Sequence, residues 1–178
     1  MVAYRRNYVP GGTYFFTVTL RNRRSRILIE QIDLLRAAFR DVVHERPFTI
    51  DAIVVLPEHL HAVMTLPASD ADYSGRWRAI KSAFSRSLAK AGHSLPKDRR
   101  GEYRLWQRRF WEHTIRDADD LQTHVDYTHY NPVKHGLSSR AADWPYSSIH
   151  RFIRRGWVGA DWGVAPESFR DADFGEPR

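Results

Sequence analysis

Residues 54–66 have the sequence Val-Val-Leu-Pro-Glu-His-Leu-His-Ala-Val-Met-Thr-Leu. It indicates a strand, a tight turn at Pro57-Glu58 and a second strand. Side chains alternate between the two faces of a strand, so the second strand separates two sets. One face carries Leu60, Ala62, Met64 and Leu66, and the other carries His59, His61, Val63 and Thr65. Two adjacent imidazoles on a rigid strand can bind one divalent metal ion. The alternative is a pair of half-exposed strand histidines that bind nothing.

The rest of the chain predicts a β-α-β-β-α-β-α order. The predicted strands are 13–20, 48–56, 60–66 and 108–116, and the predicted helices are 30–45, 73–91 and 118–130. Asp117 is expected to cap the third helix and Pro132 to end it. This order matches the ferredoxin-like split βαβ plan. We therefore predict an α+β fold: a four-stranded antiparallel sheet with helices on one face, plus an additional helix that carries a tyrosine.

One domain is expected, covering residues 13–137. An N-terminal arm (1–12) precedes it, and a C-terminal tail (138–178) packs on it and is loose from about residue 166. The chain has no cysteine and no long apolar run, which favours a cytoplasmic protein without a membrane span.

The charge of the chain predicts a polyanionic partner. There are 28 Lys and Arg against 21 Asp and Glu, a formal net charge of +7. Such a balance is typical of nucleic-acid-binding proteins, although a merely soluble basic protein is the alternative. The arm interleaves aromatic and basic residues, as base stacking and phosphate contact require, but it could equally be an ordinary frayed terminus. The predicted DNA-binding residues are Tyr4, Arg5, Arg6 and Tyr8 in the arm, Arg78, Lys81 and Arg86 on the second helix, and Lys97, Arg99, Arg100, Arg104 and Arg108 in the following loop.

The predicted third helix supplies a candidate nucleophile. Tyr127 and Asn131 are spaced i, i+4 and share one helix face. An amide oxygen one turn from a phenol could complete a metal site beside a tyrosine nucleophile. Alternatively, Tyr127 is a packing aromatic and Asn131 a C-terminal cap. Tyr130 is the rival nucleophile, but it lacks a polar partner at i+4 if the helix ends at Pro132.

Several segments resemble the REP-associated tyrosine transposases, a single-tyrosine branch of the HUH endonuclease superfamily. They are Tyr-Phe-Phe-Thr-Val-Thr-Leu (14–20), Leu-Pro-Glu-His-Leu-His (56–61), Arg-Phe-Trp-Glu-His-Thr-Ile-Arg-Asp (109–117), Tyr-Thr-His-Tyr-Asn-Pro-Val-Lys-His-Gly-Leu (127–137) and Trp-Pro-Tyr-Ser-Ser (144–148). The resemblance covers roughly residues 4–153, which is most of the chain.

The resemblance implies cleavage of single-stranded DNA beside palindromic, REP-type hairpins. Tyr127 would attack a phosphodiester, join the 5′-phosphate and release a 3′-hydroxyl. His59, His61 and Asn131 would hold Mg²⁺ or Mn²⁺. Related insertion-sequence transposases commonly have Gln at the third ligand position, so the shorter Asn131 departs from that pattern. Resemblance to the REP-associated branch implies that the protein is a monomer, whereas insertion-sequence relatives form dimers with exchanged tyrosine helices.

Three other classes of protein remain open at this point. A ferredoxin-like domain could bind structured single strands without cutting them. An HUH replication initiator or relaxase often has a paired-tyrosine helix, and Tyr127 with Tyr130 could form such a pair. A metal-stabilised structural module is the third, although an open three-ligand site without cysteine argues against it.

Overall fold

A computed structural model describes residues 7–164, 169 and 173–176. The strands are β1 (Thr13–Thr19), β2 (Thr49–Val55), β3 (His59–Thr65) and β4 (Trp111–Thr114). The helices are α1 (Ile27–Glu30), α2 (Ile32–Glu45), α3 (Tyr73–Lys90), α4 (Ala118–Lys134) and α5 (Ile149–Arg154), with a 3₁₀ turn at Ala141–Asp143. No helix among the described residues is long and apolar enough to cross a membrane.

The strands form one sheet in the order β2-β3-β1-β4, and every neighbouring pair is antiparallel. This is the split βαβ arrangement, because β3 lies between β1 and β2, which α1 and α2 connect. The predicted α+β class and four-stranded antiparallel sheet are therefore confirmed. Register places Thr17 of β1 and Val54 of β2 on either side of His61.

The sheet has two differently covered faces. On the side that we call the helix-pair face, β-strand residues such as Phe16, Leu60 and Ala62 pack with α2 and α3 in one apolar cluster. On the side that we call the tyrosine face, Phe15 and Val63 pack with α4. The predicted alternation of β3 is confirmed, and its histidines lie on the tyrosine face.

Helix α4 extends beyond its predicted end. The prediction that Pro132 ends it is wrong, because Pro132 falls in the last turn, where its missing N–H removes only one helical hydrogen bond. The backbone N–H of His135 still donates to the Asn131 carbonyl (3.0 Å) and that of Leu137 to the Pro132 carbonyl (2.8 Å). The start is as predicted, since the Asp117 side chain accepts from the Asp120 N–H at 2.8 Å.

Two further elements differ from the prediction by more than one residue. The predicted helix 30–45 is observed as α2 (Ile32–Glu45), and the short helix α1 (Ile27–Glu30) precedes it, separated by Gln31. The fourth strand is also shorter than 108–116, because only Trp111–Thr114 pair with β1. Both differences leave the order of the elements unchanged.

The segment 144–148 covers the outer edge of β2. The Trp144 indole donates to the Val55 carbonyl (2.9 Å), and the Ser148 N–H donates to the Ile53 carbonyl (2.8 Å). Pairing of this kind removes the open hydrogen-bonding edge that a terminal strand otherwise presents.

Candidate functional site

Four of the predicted site residues meet on the tyrosine face. The turn at Pro57-Glu58 brings His59 and His61 to the start of β3, while α4 supplies Tyr127 and Asn131. All four are buried, with at most 2% of any of them exposed. The ring centroids of His61 and Tyr127 are 5.4 Å apart, and those of the two histidines are 5.0 Å apart. The alternative of half-exposed strand histidines is therefore wrong.

A carboxylate that the sequence analysis did not identify lies among these residues. Glu176 Oε1 is 2.8 Å from His61 Nε2 and accepts from Asn131 Nδ2 at 3.0 Å. Glu176 Oε2 accepts from Lys134 Nζ at 2.5 Å. Glu176 is 115 residues away from His61 in sequence, so no spacing or periodicity signal connects the two.

The residues next to Glu176 cover the tyrosine. The Phe174 ring stacks on the Tyr127 ring with centroids 3.5 Å apart and planes 4° apart. Phe174 is itself buried, and its carbonyl accepts a hydrogen bond from the Thr17 hydroxyl. We call residues 173–176 the C-terminal cover. Under this cover, Tyr127 is only 2% exposed.

The hydrogen bonds of Thr17 define the state of His61. The Thr17 hydroxyl donates to the Phe174 carbonyl, which can only accept, so its oxygen is left to accept from His61 Nδ1 at 2.9 Å. Burial lowers the pKa of His61 to about 4, and the neutral ring then carries its proton on Nδ1. The Nε2 lone pair consequently faces the Glu176 carboxylate, so two acceptors repel each other. A cation between them would remove this repulsion.

The ring of His59 is oriented in the same way as that of His61, with Nδ1 on an oxygen atom and Nε2 facing the site. Its Nδ1 lies 2.9 Å from Glu58 Oε1, and its buried Nε2 has no hydrogen-bond partner among the described residues. A carboxylate on the far nitrogen is the usual support of a metal-binding histidine. Burial alone would lower the pKa of His59, but Glu176 and Glu58 together raise it.

The donor set fits a divalent cation. His59, His61 and Glu176 each offer a ligand atom, and these atoms lie within 4.8 Å of one another. The Asn131 Oδ1 atom is also buried without a hydrogen-bond partner among the described residues. Two imidazole nitrogens with oxygen donors suit Mn²⁺ and, less well, Mg²⁺, which prefers oxygen.

Burial and charge also perturb the acidic groups of the site. Burial, and then the negative charge of Glu176, raise the pKa of the Tyr127 hydroxyl above its usual value. Burial alone would raise the pKa of Glu176, but the neighbouring His135, His59 and His61 lower it well below its usual range. The phenol is therefore protonated and the carboxylate ionised near neutral pH.

Tyr130 lies apart from the cluster. Its ring is half-buried and stacks with that of Phe169, with centroids 5.7 Å apart. The extension of α4 through Pro132 removes the earlier reason for doubting Tyr130, but the Lys134 ammonium lies 2.6 Å from the Tyr127 hydroxyl. Lys134, the polar residue at i+4 from Tyr130, therefore contacts Tyr127 instead.

The predicted DNA-binding residues lie elsewhere on the molecule. Helix α3 covers the helix-pair face, across the sheet from Tyr127, and the loop after it packs on α3 through Trp106 and Phe84. Lys81 is half-buried and donates to the Gln107 carbonyl (3.0 Å). Of the predicted DNA-binding residues of α3 and this loop, the exposed ones are Arg78, Arg86, Lys97, Arg99, Arg100, Arg104 and Arg108.

Only part of the predicted arm is described. Tyr8 is 50% exposed and stacks on Tyr73, with ring centroids 5.0 Å apart. Tyr4, Arg5 and Arg6 lie outside the described residues.

A second buried polar group positions the start of α4. The Asp120 carboxylate accepts from His113 Nε2 (2.8 Å), from the Arg116 backbone N–H (3.0 Å) and from Arg116 Nε (3.1 Å). Burial alone would raise the pKa of Asp120, but these partners lower it to about 2. They join β4 to the helix that carries Tyr127.

Known proteins resemble the chain over most of its length. The family model described as IS200-like transposase matches residues 9–131. A REP-associated tyrosine transposase of Escherichia coli (strain K12) is 49% identical over 162 residues, covering 91% of each chain. A Haemophilus influenzae protein is 44% identical over 170 residues, covering 94% of this chain and 96% of that one.

A solved structure is also similar. It shows a REP-associated tyrosine transposase bound to a REP hairpin, with a TM-score of 0.86 and 46% identity, and the match covers 100% of this chain and 99% of that one.

Proposed function

The chain belongs to the REP-associated tyrosine transposases of the IS200-like family, and we propose that it cleaves and rejoins single-stranded DNA at REP-type hairpins through a 5′-phosphotyrosine on Tyr127. The observation that carries this proposal is the proximity of the Tyr127 phenol to His59, His61 and Asn131 in one cluster of side chains.

The histidines and the amide are the proposed metal ligands. His59 and His61 would bind through Nε2 and Asn131 through Oδ1, with Mn²⁺ or Mg²⁺ as the ion. The bound ion would offset negative charge on the scissile phosphate. Glu58 and Thr17 hold the two imidazoles with Nδ1 protonated, so that both Nε2 lone pairs face the pocket.

Tyr127 is the proposed nucleophile. Its oxygen forms a bond to phosphorus while the bond from phosphorus to the 3′-oxygen breaks, and solvent carries the phenolic proton to the departing 3′-oxygen. The covalent phosphotyrosine retains the energy of the broken bond, so rejoining to another 3′-hydroxyl needs no external energy source. Because Phe174 stacks on the ring, DNA must displace the C-terminal cover before attack.

Most of the DNA contacts would lie away from the reacting atoms. The exposed arginines and lysines of α3 and the 97–108 loop offer phosphate contacts on the helix-pair face, and the arm containing Tyr8 would contact unpaired bases beside the hairpin. The protein would act in the cytoplasm as a monomer, because His59, His61, Tyr127 and Asn131 of one chain meet without a second chain. Exchange of α4 between two chains is the alternative.

Adduct mapping tests the proposal. Labelled single-stranded hairpin DNA from the flanks of the gene is incubated with the protein and Mn²⁺, and SDS-resistant adducts are digested and placed by mass spectrometry. We expect the adduct on Tyr127, its loss in Tyr127→Phe and its retention in the matched control Tyr130→Phe. An adduct on Tyr130 would contradict the assignment, and DNA cleavage without any adduct would indicate metal-bound water as the nucleophile.

A binding protein that does not cut DNA is the second candidate. It is favoured by the depth of Tyr127, which is 2% exposed and has a raised pKa. It predicts that hairpins bind in the presence of Mn²⁺ but stay intact, even when the C-terminal cover is weakened by mutation.

A further inference from the structure

The extension of α4 through Pro132 brings a cation to the tyrosine. Lys134 is seven residues after Tyr127, close to two helical turns, so both side chains lie on one helix face. Lys134 Nζ is 2.6 Å from the Tyr127 hydroxyl oxygen and 4.8 Å from the ring centroid. The side chain is 39% exposed, so the ammonium stays in contact with solvent while it touches a buried oxygen.

The surroundings of the Tyr127 oxygen disfavour negative charge on it, which a neighbouring cation would offset. Burial of Tyr127 disfavours a negatively charged phenolate, and the nearby Glu176 carboxylate disfavours it further. An ammonium has three donors and no acceptor, so at this position it can only donate to the phenol oxygen. A preorganised charged donor strengthens as negative charge develops on its acceptor.

We propose that Lys134 is a catalytic residue, whose ammonium donates to the Tyr127 oxygen and stabilises its negative charge as the tyrosine attacks and as it leaves. This inference rests on the proposed function of Tyr127. In rejoining, a 3′-hydroxyl oxygen bonds to phosphorus, the bond from phosphorus to the Tyr127 oxygen breaks, and its electron pair stays on that oxygen. Solvent carries the hydroxyl proton to the phenolate. Lys134 keeps its own protons throughout.

A different role would give the opposite result. Lys134 Nζ also holds Glu176 Oε2 at 2.5 Å, so Lys134 could serve only to anchor the C-terminal cover. Removing an anchor would loosen the cover and raise cleavage, whereas removing a catalytic donor lowers it. The Glu176→Gln variant removes this ion pair and leaves the contact between Lys134 and Tyr127 to be tested alone.

The experiment compares four proteins in the Glu176→Gln background: Lys134 intact, Lys134→Gln, Lys134→Arg and the control Arg40→Gln, which removes an exposed cation of α2 outside the proposed DNA contacts. Cleavage and rejoining of hairpin DNA are measured with Mn²⁺, together with hairpin affinity. We expect Lys134→Gln to slow both directions by about 100-fold, the scale for one lost donor to a developing charge. Hairpin affinity should stay unchanged, and Lys134→Arg should recover most of the rate.

The outcomes separate this inference from the proposed function. If the background protein forms the Tyr127 adduct but Lys134→Gln cleaves equally fast or faster, the catalytic role of Lys134 is overturned and Tyr127 stands. If Lys134→Gln loses hairpin affinity in proportion to its rate, Lys134 acts in binding and the inference is again overturned. If neither the unmutated protein nor any protein of the set forms an adduct, both proposals fall. If only the unmutated protein forms it, Glu176 is a metal ligand, and Lys134→Gln is compared with the unmutated protein instead, where an equal or faster rate again overturns the inference.

Discussion

The two faces of β3 differ in composition although they belong to the same seven residues. On the helix-pair face, Leu60, Ala62 and Met64 are completely buried against apolar neighbours. On the tyrosine face, His59 and His61 are buried just as deeply but surrounded by polar atoms. One strand therefore anchors the core with one face and presents ligand atoms with the other. Alternate residues of a single strand can therefore serve stability and ligand binding separately.

The energetic consequences differ in the same way. Burying apolar side chains on the helix-pair face stabilises the fold by roughly 25 cal/mol per Å² removed from water. Burying imidazoles costs free energy unless each nitrogen finds a partner, and His59 Nε2 has none among the described residues. We therefore expect the tyrosine face to contribute less to stability than its burial suggests.

The largest expected effect is on cleavage, from a change on the tyrosine face. His61→Ala should reduce DNA cleavage by more than about 100-fold, because loss of even a supporting partner of a metal ligand costs up to that factor. Hairpin affinity should change little, since it depends on phosphate and base contacts. Cleavage and gel-shift assays on one preparation measure both. A variant that cleaves at the normal rate would show that His61 binds no essential metal.

The next largest effect is on stability, from the neighbouring residue on the other face. Leu60→Ala should lower the free energy of unfolding by about 2–5 kcal/mol, because it leaves a cavity in the apolar cluster. Denaturant titration measures the loss, and His61→Ala is the matched comparison on the same strand. The folded fraction of Leu60→Ala should still cleave DNA. Equal destabilisation by the two changes would remove the distinction between the faces.

A pH effect is expected at the start of α4. The pKa of Asp120 is about 2 in the folded protein and near 3.9 in the unfolded chain, so its stabilisation is complete above about pH 5 and is lost progressively between about pH 5 and 1. The loss amounts to about 2.6 kcal/mol. Asp120→Asn should therefore destabilise the protein at pH 7 and flatten the acid dependence of unfolding. Asp119→Asn, at an exposed position, controls for the loss of charge. An acid dependence of Asp120→Asn as steep as that of the unmutated protein would contradict the assignment.

The smallest effect should come from the C-terminal cover. Glu176→Gln keeps the shape of the side chain but removes the charge that holds Lys134 and faces His61. A weaker cover leaves Tyr127 accessible for a larger fraction of the time, so cleavage in Mn²⁺ should rise several-fold, as a change of about 1 kcal/mol implies. A fall in cleavage would instead identify Glu176 as a ligand that the metal requires.

Periodicity predicted the parts of the molecule that are local in sequence. The alternation of β3 placed both histidines on one face, and the i, i+4 spacing placed Tyr127 beside Asn131. The strand order followed from the sequence of elements. Proline at 132 gave a wrong helix end, because the general preference against helical proline is weak in a final turn, where few hydrogen bonds remain to be lost.

The parts that could not be predicted depend on contacts between distant residues. Phe174 and Glu176 carry no motif, and they contact Thr17 and His61 across sequence separations of 157 and 115 residues. The contact between Lys134 and Tyr127 was also missed, since it exists only because α4 continues past Pro132. Long-range packing, rather than residue type, determines these neighbours.

The period of β3 also makes the site sensitive to insertions and deletions. The turn at Pro57-Glu58 sets which residue of β3 first pairs with β1, where His59 lies opposite Thr19. A net change of one residue in this turn would, if the strand re-registered, exchange the two faces and direct both histidines into the apolar cluster. A change of two residues would preserve the parity of the strand. Length variation at this turn should therefore be tolerated in even steps and eliminated in odd ones.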